Sequence, residues 1–132
     1  MLEGFATALA AERIGKTQIA TLSTLADQME QTLETKKRIN FDRISQLNSQ
    51  FHKIILDAAN SKRLSALMTG LIEMTVILKT YQRYTAAELM RSFSHHRELI
   101  AAFSAQDPEW ARAVMTAHIL AARASYLRSN AR

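Results

Sequence analysis

Apolar positions recur at spacings of three and four along almost the whole chain, and strand-like alternation nowhere fits better. The pattern predicts six helices. The first covers about Leu2 to Ala11 and is rich in Ala and Leu, with Gly15 as the break after it. The second is capped by Thr17 and runs to about Lys36, with Ile19, Leu22, Leu25, Met29 and Leu33 as its apolar stripe; Lys36, Lys37 and Arg38 complement the dipole at its end. Asn40 is placed to cap the third, Phe41 to Ala59, and Asn60 to end it in a left-handed conformation. Ser61 caps the fourth, whose inner face is predicted to carry Leu64, Leu67, Met68, Leu71, Met74, Ile77 and Leu78. Thr85 starts the fifth, which reaches about Ala105 with Leu89, Phe93, His96, Ile100 and Phe103 in line. The sixth opens with AQDPEW. Asp107 is its N-cap, and Pro108 stands at the first helical position, where a missing N–H costs nothing. Trp110, Val114, His118, Ala121 and Ser125 then share one line. The expected fold is all-α, an antiparallel bundle of about six helices in one domain.

Polar side chains interrupt these apolar faces at few places. In NSQFHKIILDAAN, Asn48 and His52 lie one turn apart among Leu47, Phe51, Ile54, Ile55 and Leu56. His96 lies eleven residues before Asp107 and His118 eleven residues after it. A tight hairpin of the last two helices therefore puts both imidazoles at one height, roughly 16 Å from the turn. A single inward histidine is ordinarily a core residue satisfied by a carbonyl or hydroxyl. Three of them are costly to bury unpaired, and repel one another when protonated. A divalent metal removes both costs, because neutral imidazole suits zinc, nickel, copper or iron. His95, about 100° around the helix from His96, reads as solvent-facing or as a support behind a ligand. Met29, Met68, Met74, Met90 and Met115 read as core filler at helical spacing.

Composition narrows the class. The 132 residues are 48 % hydrophobic and 22 % charged, enough for one domain with a real core. Three glycines and one proline leave few turns, hence few and long elements. No run of about 18 apolar residues predicts a membrane span, and MLEGFATALAAER lacks the basic leader of a signal peptide. The absence of cysteine fits a reducing cytoplasm. The net charge of +5 is scattered, with KKR at 36–38 the only basic run, so direct nucleic-acid contact by this chain is not expected.

Several of these segments resemble one family in order and spacing. LEGFATALAAER resembles the opening helix of the FCD domain, the effector-binding C-terminal domain of FadR-type regulators in the GntR family. NSQFHKIILDAAN resembles its D-x-x-F-H segment with a following Asn, and HRELIAAFSAQDPEWARAVMTAHI resembles its closing segment with the same wide His-to-His separation. The resemblance spans nearly the whole sequence. It implies a bundle enclosing a divalent metal held by an aspartate and three histidines. Carried over, these are Asn48 in the aspartate's place, then His52, His96 and His118. An amide oxygen brings no charge, so the departure at Asn48 favours zinc or nickel over manganese or magnesium and leaves more positive potential for an anion.

The resemblance further implies a small carboxylate effector, a homodimer, and DNA binding only through a winged helix-turn-helix domain that precedes the bundle and has no candidate in these residues. A cytoplasmic protein without a membrane partner and without catalysis is the matching expectation. Lys79, Arg83, Arg91 and Arg123 are the cationic candidates for assisting the effector, and Tyr81, Tyr84 and Tyr126 could supply hydroxyls. Two rivals stand beside this reading. A bundle with a polar interior that only fixes register and dimerisation needs no metal. A metal-dependent hydrolase needs a general base, and Asp57 and Glu98 fall off the histidine faces.

Overall fold

The computed structural model describes residues 2–34, 38–72 and 83–131, with side chains omitted at 69–72. Six helices and no strand occur among them: α1 (Leu2–Arg13), α2 (Lys16–Glu34), α3 (Phe41–Ala59), α4 (Lys62–Ile72), α5 (Ala86–Ser104) and α6 (Pro108–Asn130). The all-α bundle expected from the sequence is the fold found.

Local chemistry sets most of the boundaries. The Asn40 side chain accepts from the Arg43 N–H at 3.0 Å, and Asn60 ends α3 in the left-handed region at φ 50°. Ser61 Oγ accepts from the Leu64 N–H at 3.3 Å. Thr85 and Glu88 form a reciprocal capping box at the start of α5. Asp107 accepts from the Trp110 N–H at 3.0 Å, with Pro108 in the first turn as expected. Between α5 and α6 the chain reverses through Gln106 at φ 51°. The Gln106 N–H bonds back to the Phe103 carbonyl and the Asp107 N–H to the Ala102 carbonyl, both at 3.0 Å. This is a Schellman closure built without its usual glycine.

Three expectations need correction. The second helix begins at Lys16, before Thr17, and the Gly15 N–H donates to Gln18 Oε1 at 3.1 Å. Leu67 and Met90 are 58 % and 61 % exposed rather than inward. Trp110 stands at the rim, 37 % exposed, its indole N–H donating to Glu98 at 3.2 Å. Leu67 misleads because α4 meets the bundle through one narrow stripe, Leu64 and Met68, packed with Ala6 of α1 and Leu56 of α3. Met74, Ile77, Leu78, Lys36 and Lys37 lie outside the described residues.

Five helices close a ring in the order α1, α3, α2, α5, α6 and back to α1. α1 can wedge between α3 and α6 because its inward residues are small: Gly4, Ala6, Thr7, Ala8, Ala10 and Ala11 are all buried. A Cβ at Gly4 would stand 3.1 Å from Thr116 Oγ1, a tight contact, so glycine here eases the approach of α1 to α6. Arg13 closes the seam with α3 by donating to the Ala59 carbonyl at 2.5 Å. Inside the ring lie Leu22, Met29, Ile44, Leu47, Phe51, Leu89, Leu99 and Phe103, each at most 1 % exposed. Each such side chain contributes about 1.5–3 kcal/mol by leaving water. α3 faces α5 and α6 across this interior and not as a flush neighbour. Side chains must span that gap, and the histidines are among those that do.

Candidate metal centre

Each histidine reaches the interior because its helix needs an apolar stripe there. On α3 the stripe of Ile44, Leu47, Phe51 and Ile55 carries Asn48 and His52 along its flank. On α5, Leu89, Phe93 and Leu99 carry His96, and on α6, Val114 carries His118. The two last-named imidazoles meet across the hairpin with ring centroids 4.9 Å apart, as equal distance from the turn requires. His52 comes from the opposite wall, its ring 5.4 Å from His118 and 5.8 Å from His96. One ring nitrogen of each residue lies within 4.8 Å of the others.

The surroundings are apolar and tight. His96 is fully enclosed, with the Phe51 ring at 4.5 Å and the Phe93 ring at 6.2 Å between centroids. Burial holds all three imidazoles neutral: His52 is pushed down to about 4 by burial alone, and His96 and His118 well below the ordinary 6.5 by burial and then by their histidine neighbours. Neutral imidazole with a free lone pair is the ligating form.

The donor set fits a divalent ion on a direct observation. Both ring nitrogens of His96 and the Oδ1 of Asn48 are buried and have no hydrogen-bond partner. Orphaned polar atoms of this kind are rare inside proteins, because each forfeits its hydration without return. One nitrogen of an imidazole and the oxygen of an amide are both donors that a borderline cation accepts. Among the described residues no carboxylate joins the three histidines. Asp57 pairs with Lys53 at 2.8 Å on the outer face, and Glu98 serves Trp110. Neither of the two carboxylates weighed as a hydrolase's general base therefore faces the histidines.

Among the candidates for assisting an anion, Arg83 is exposed and committed elsewhere. It donates to Ser129 and Asn130 and lies 5.6 Å from the Tyr126 ring centroid, tying the start of α5 to the end of α6. Arg123 is exposed on α6. Lys79 and Tyr81 lie outside the described residues. Arg91 is exposed, but it lines a shallow depression with Tyr84, Ser92, His95 and His118 that opens beside the histidines. Burial, aided by Glu88, pushes the Tyr84 hydroxyl up to about 12, so it stays a hydroxyl there.

One feature of the site went unread in the sequence, and another was left open between two readings. Glu88 also accepts from Arg128, at 3.1 Å on one oxygen and 2.9 Å on the other. Burial pulls its carboxyl upward, yet the Thr85 N–H, Arg128 and Ser125 together hold it below the usual range. The T-A-A-E spacing at 85–88 could have signalled the capping box, but nothing local announces a partner forty residues away. His95 Nδ1, in turn, lies 3.3 Å from His118 Nδ1. The His95 ring is half-buried against a neighbouring imidazole and is not wholly solvent-facing.

No helix among the described residues is long and apolar enough to cross a membrane. Comparison with curated proteins returned no match. The family model of the FCD domain matches residues 1–121, through all six helices as far as the turn of α6 beyond His118. The chain therefore belongs to the FCD domain family, the regulatory effector-binding domains of GntR-type regulators.

Proposed function

We propose that this chain is the ligand-sensing part of a bacterial transcriptional regulator, and that it recognises a small organic acid at a divalent metal held by His52, His96, His118 and Asn48. The convergence of three imidazoles, those of His96 and His118 buried and that of His52 half-buried, carries this reading, beside the partnerless His96 nitrogens and Asn48 oxygen. Zinc or nickel suits the set, since three nitrogens and an amide oxygen offer no carboxylate to a harder cation. When bound, such an ion supplies a cationic anchor whose charge the protein donors leave uncompensated. A carboxylate in so dry a place gains more than it would in water. Arg91 and Tyr84, at the depression beside His118, are positioned to meet the outer end of such a ligand.

The output is a change in how two copies of the domain hold DNA-binding domains that precede them, in a cytoplasmic homodimer. Catalysis forms no part of this reading.

Elemental analysis of the purified protein before any chelator is the first test, with close to one zinc or nickel per chain expected. The second is a melting panel with lactate, citrate, malonate and sugar acids. A ligand at a hundredfold excess over its dissociation constant stabilises by about 2.7 kcal/mol, and chelation or His118→Ala should erase most of the shift. Shifts that survive both would refute the metal-anchored acid. Absence of any metal and of any shift would favour a purely structural dimerisation domain.

A further inference from the structure

His95 is the one imidazole of the four that stands outside the converging set, and it touches only one member of it. Its Nδ1 lies 3.3 Å from the Nδ1 of His118, with the two rings nearly perpendicular at 86°. His118 is 6 % exposed, and His95 is half-buried at the depression on the α5–α6 face. Two facing ring nitrogens tolerate this approach only when one carries the proton and the other a lone pair. Two protons would collide, and two lone pairs would repel. The contact therefore fixes a tautomer.

We infer that His95 is a positioning residue for metal binding: its Nδ1 accepts the Nδ1 proton of His118, which orients the His118 ring and leaves Nε2 as the lone pair facing His52 and His96. This rests on the metal-site reading above. The reverse arrangement, with His95 donating, would force the proton of neutral His118 onto Nε2 and block ligation through that atom. Ligation through His118 Nδ1 is disfavoured by the same geometry, since His95 already occupies that nitrogen and is not itself among the converging residues. Metal-bound histidines commonly donate their second N–H to an acceptor, usually a carboxylate or carbonyl. Here no carboxylate is given to His118 in that role, and a neighbouring imidazole on the facing helix takes it.

The placement has a consequence for the sensor. His95 forms part of the wall of the depression, together with Arg91 and Ser92, so whatever enters there touches the group that orients a ligand. The path from surface to metal centre is one hydrogen bond long.

Zinc titration of the full chain by calorimetry, paired with nitrogen-15 NMR of the imidazoles, tests this. In zinc-loaded protein, His118 should show its proton on Nδ1 and His95 on Nε2. His95→Ala should weaken zinc by about 10–100-fold, the usual loss when such a support is removed. His95→Asn, whose Oδ1 can stand near the lost Nδ1 as an acceptor, should recover most of that loss; His95→Phe, which fills the space without an acceptor, should not. Circular dichroism of each variant distinguishes lost support from lost fold, and the NMR result on unaltered protein needs no variant at all. Zinc affinity within twofold for His95→Ala, or a His118 proton on Nε2, overturns the positioning role while leaving the metal site standing. No zinc binding by the unaltered chain overturns both.

Discussion

His96 and Arg97 are consecutive residues of α5, and their surroundings could hardly differ more. Arg97 points outward to α2, where Nε and Nη2 each donate to Glu30 at 2.8 Å and Nη2 also meets Asp27. Its hydrogen bonds hold the Glu30 carboxyl below the usual range and keep the guanidinium firmly protonated. Every strong group in that cluster is answered from within the chain. His96 points inward, is fully buried, and has no partner on either nitrogen. A polar cluster that serves only the fold satisfies itself. A buried one whose atoms are left unanswered holds capacity in reserve for something from outside the chain.

The largest expected separation of the two regions is in acid. In metal-free protein the three buried histidines titrate far below 6.5 when folded and near 6.5 when unfolded. The unfolded state then binds more protons, so stability is fully present above about pH 6.5 and falls as pH drops, for His52 until about 4. Each histidine that stays neutral contributes a slope of about 1.4 kcal/mol per pH unit. The Arg97 cluster moves in another window, because the lowered Glu30 carboxyl contributes stability above about 4.5 that is lost only below it. Urea melts of chelated protein between pH 7 and 5 should therefore show a loss that Arg97→Ala leaves intact and that His96→Leu reduces. A flat profile over that range would mean that the histidines are hydrated or paired.

His96→Leu separates function from fold at the centre itself. Zinc binding should fall below detection, removing a linked stabilisation of about 2.7 kcal/mol at a hundredfold excess of metal. The chelated variant should melt no lower than the chelated parent, and up to about 1–3 kcal/mol higher, because a buried unanswered imidazole has been replaced by apolar surface. Destabilisation of the chelated protein by several kcal/mol would show His96 to be an ordinary satisfied core residue.

How much of this could be read from sequence differs between the same two regions. The caps at Asn40, Ser61, Thr85 and Asp107 are local chemistry and were legible, as was the pairing of His96 with His118, which needs only a turn and a rise per residue. His52 was legible as inward, though not its distance from the other two, since that depends on how α3 stands across the ring. Leu67 and Met90 were misplaced because periodicity marks a face and not how much of it a neighbour covers. His95 was left open for a related reason: a ring about 100° off the apolar stripe meets a partner or solvent depending on the next helix. The Arg97 cluster was invisible because its partners lie 67 and 70 residues away.

Asn48→Asp should act with opposite signs in the two states of the centre. A carboxylate beside the ion adds the missing negative charge, so zinc affinity should rise, and a tenfold gain corresponds to about 1.4 kcal/mol. With metal removed, the same carboxylate is buried where the amide oxygen had no partner, and the chelated variant should lose about 1–3 kcal/mol, partly relieved by protonation in mild acid. Measured side by side, tighter zinc with a lower chelated melt places Asn48 at the metal. Unchanged affinity would remove it from the ligand set.

The smallest effect belongs to the region with the most conspicuous contacts. Arg97→Ala removes three hydrogen bonds and two ion pairs, yet Arg97, Glu30 and Asp27 keep 36 %, 40 % and 56 % of their side-chain surface exposed. Water and salt screen pairs of this kind, and holding long side chains still offsets much of the attraction, so the expected loss is about 0.5–1 kcal/mol in low salt. In molar salt it should shrink toward zero. Arg97→Lys keeps the charge but not the planar fork that spans both Glu30 oxygens, and should forfeit about half of the same small amount. Neither substitution should change zinc affinity, since Arg97 turns its charge away from the centre and toward α2. A zinc affinity altered tenfold by Arg97→Ala would mean that the two faces of α5 are mechanically coupled, and that the outer clamp also sets how far His96 reaches into the ring.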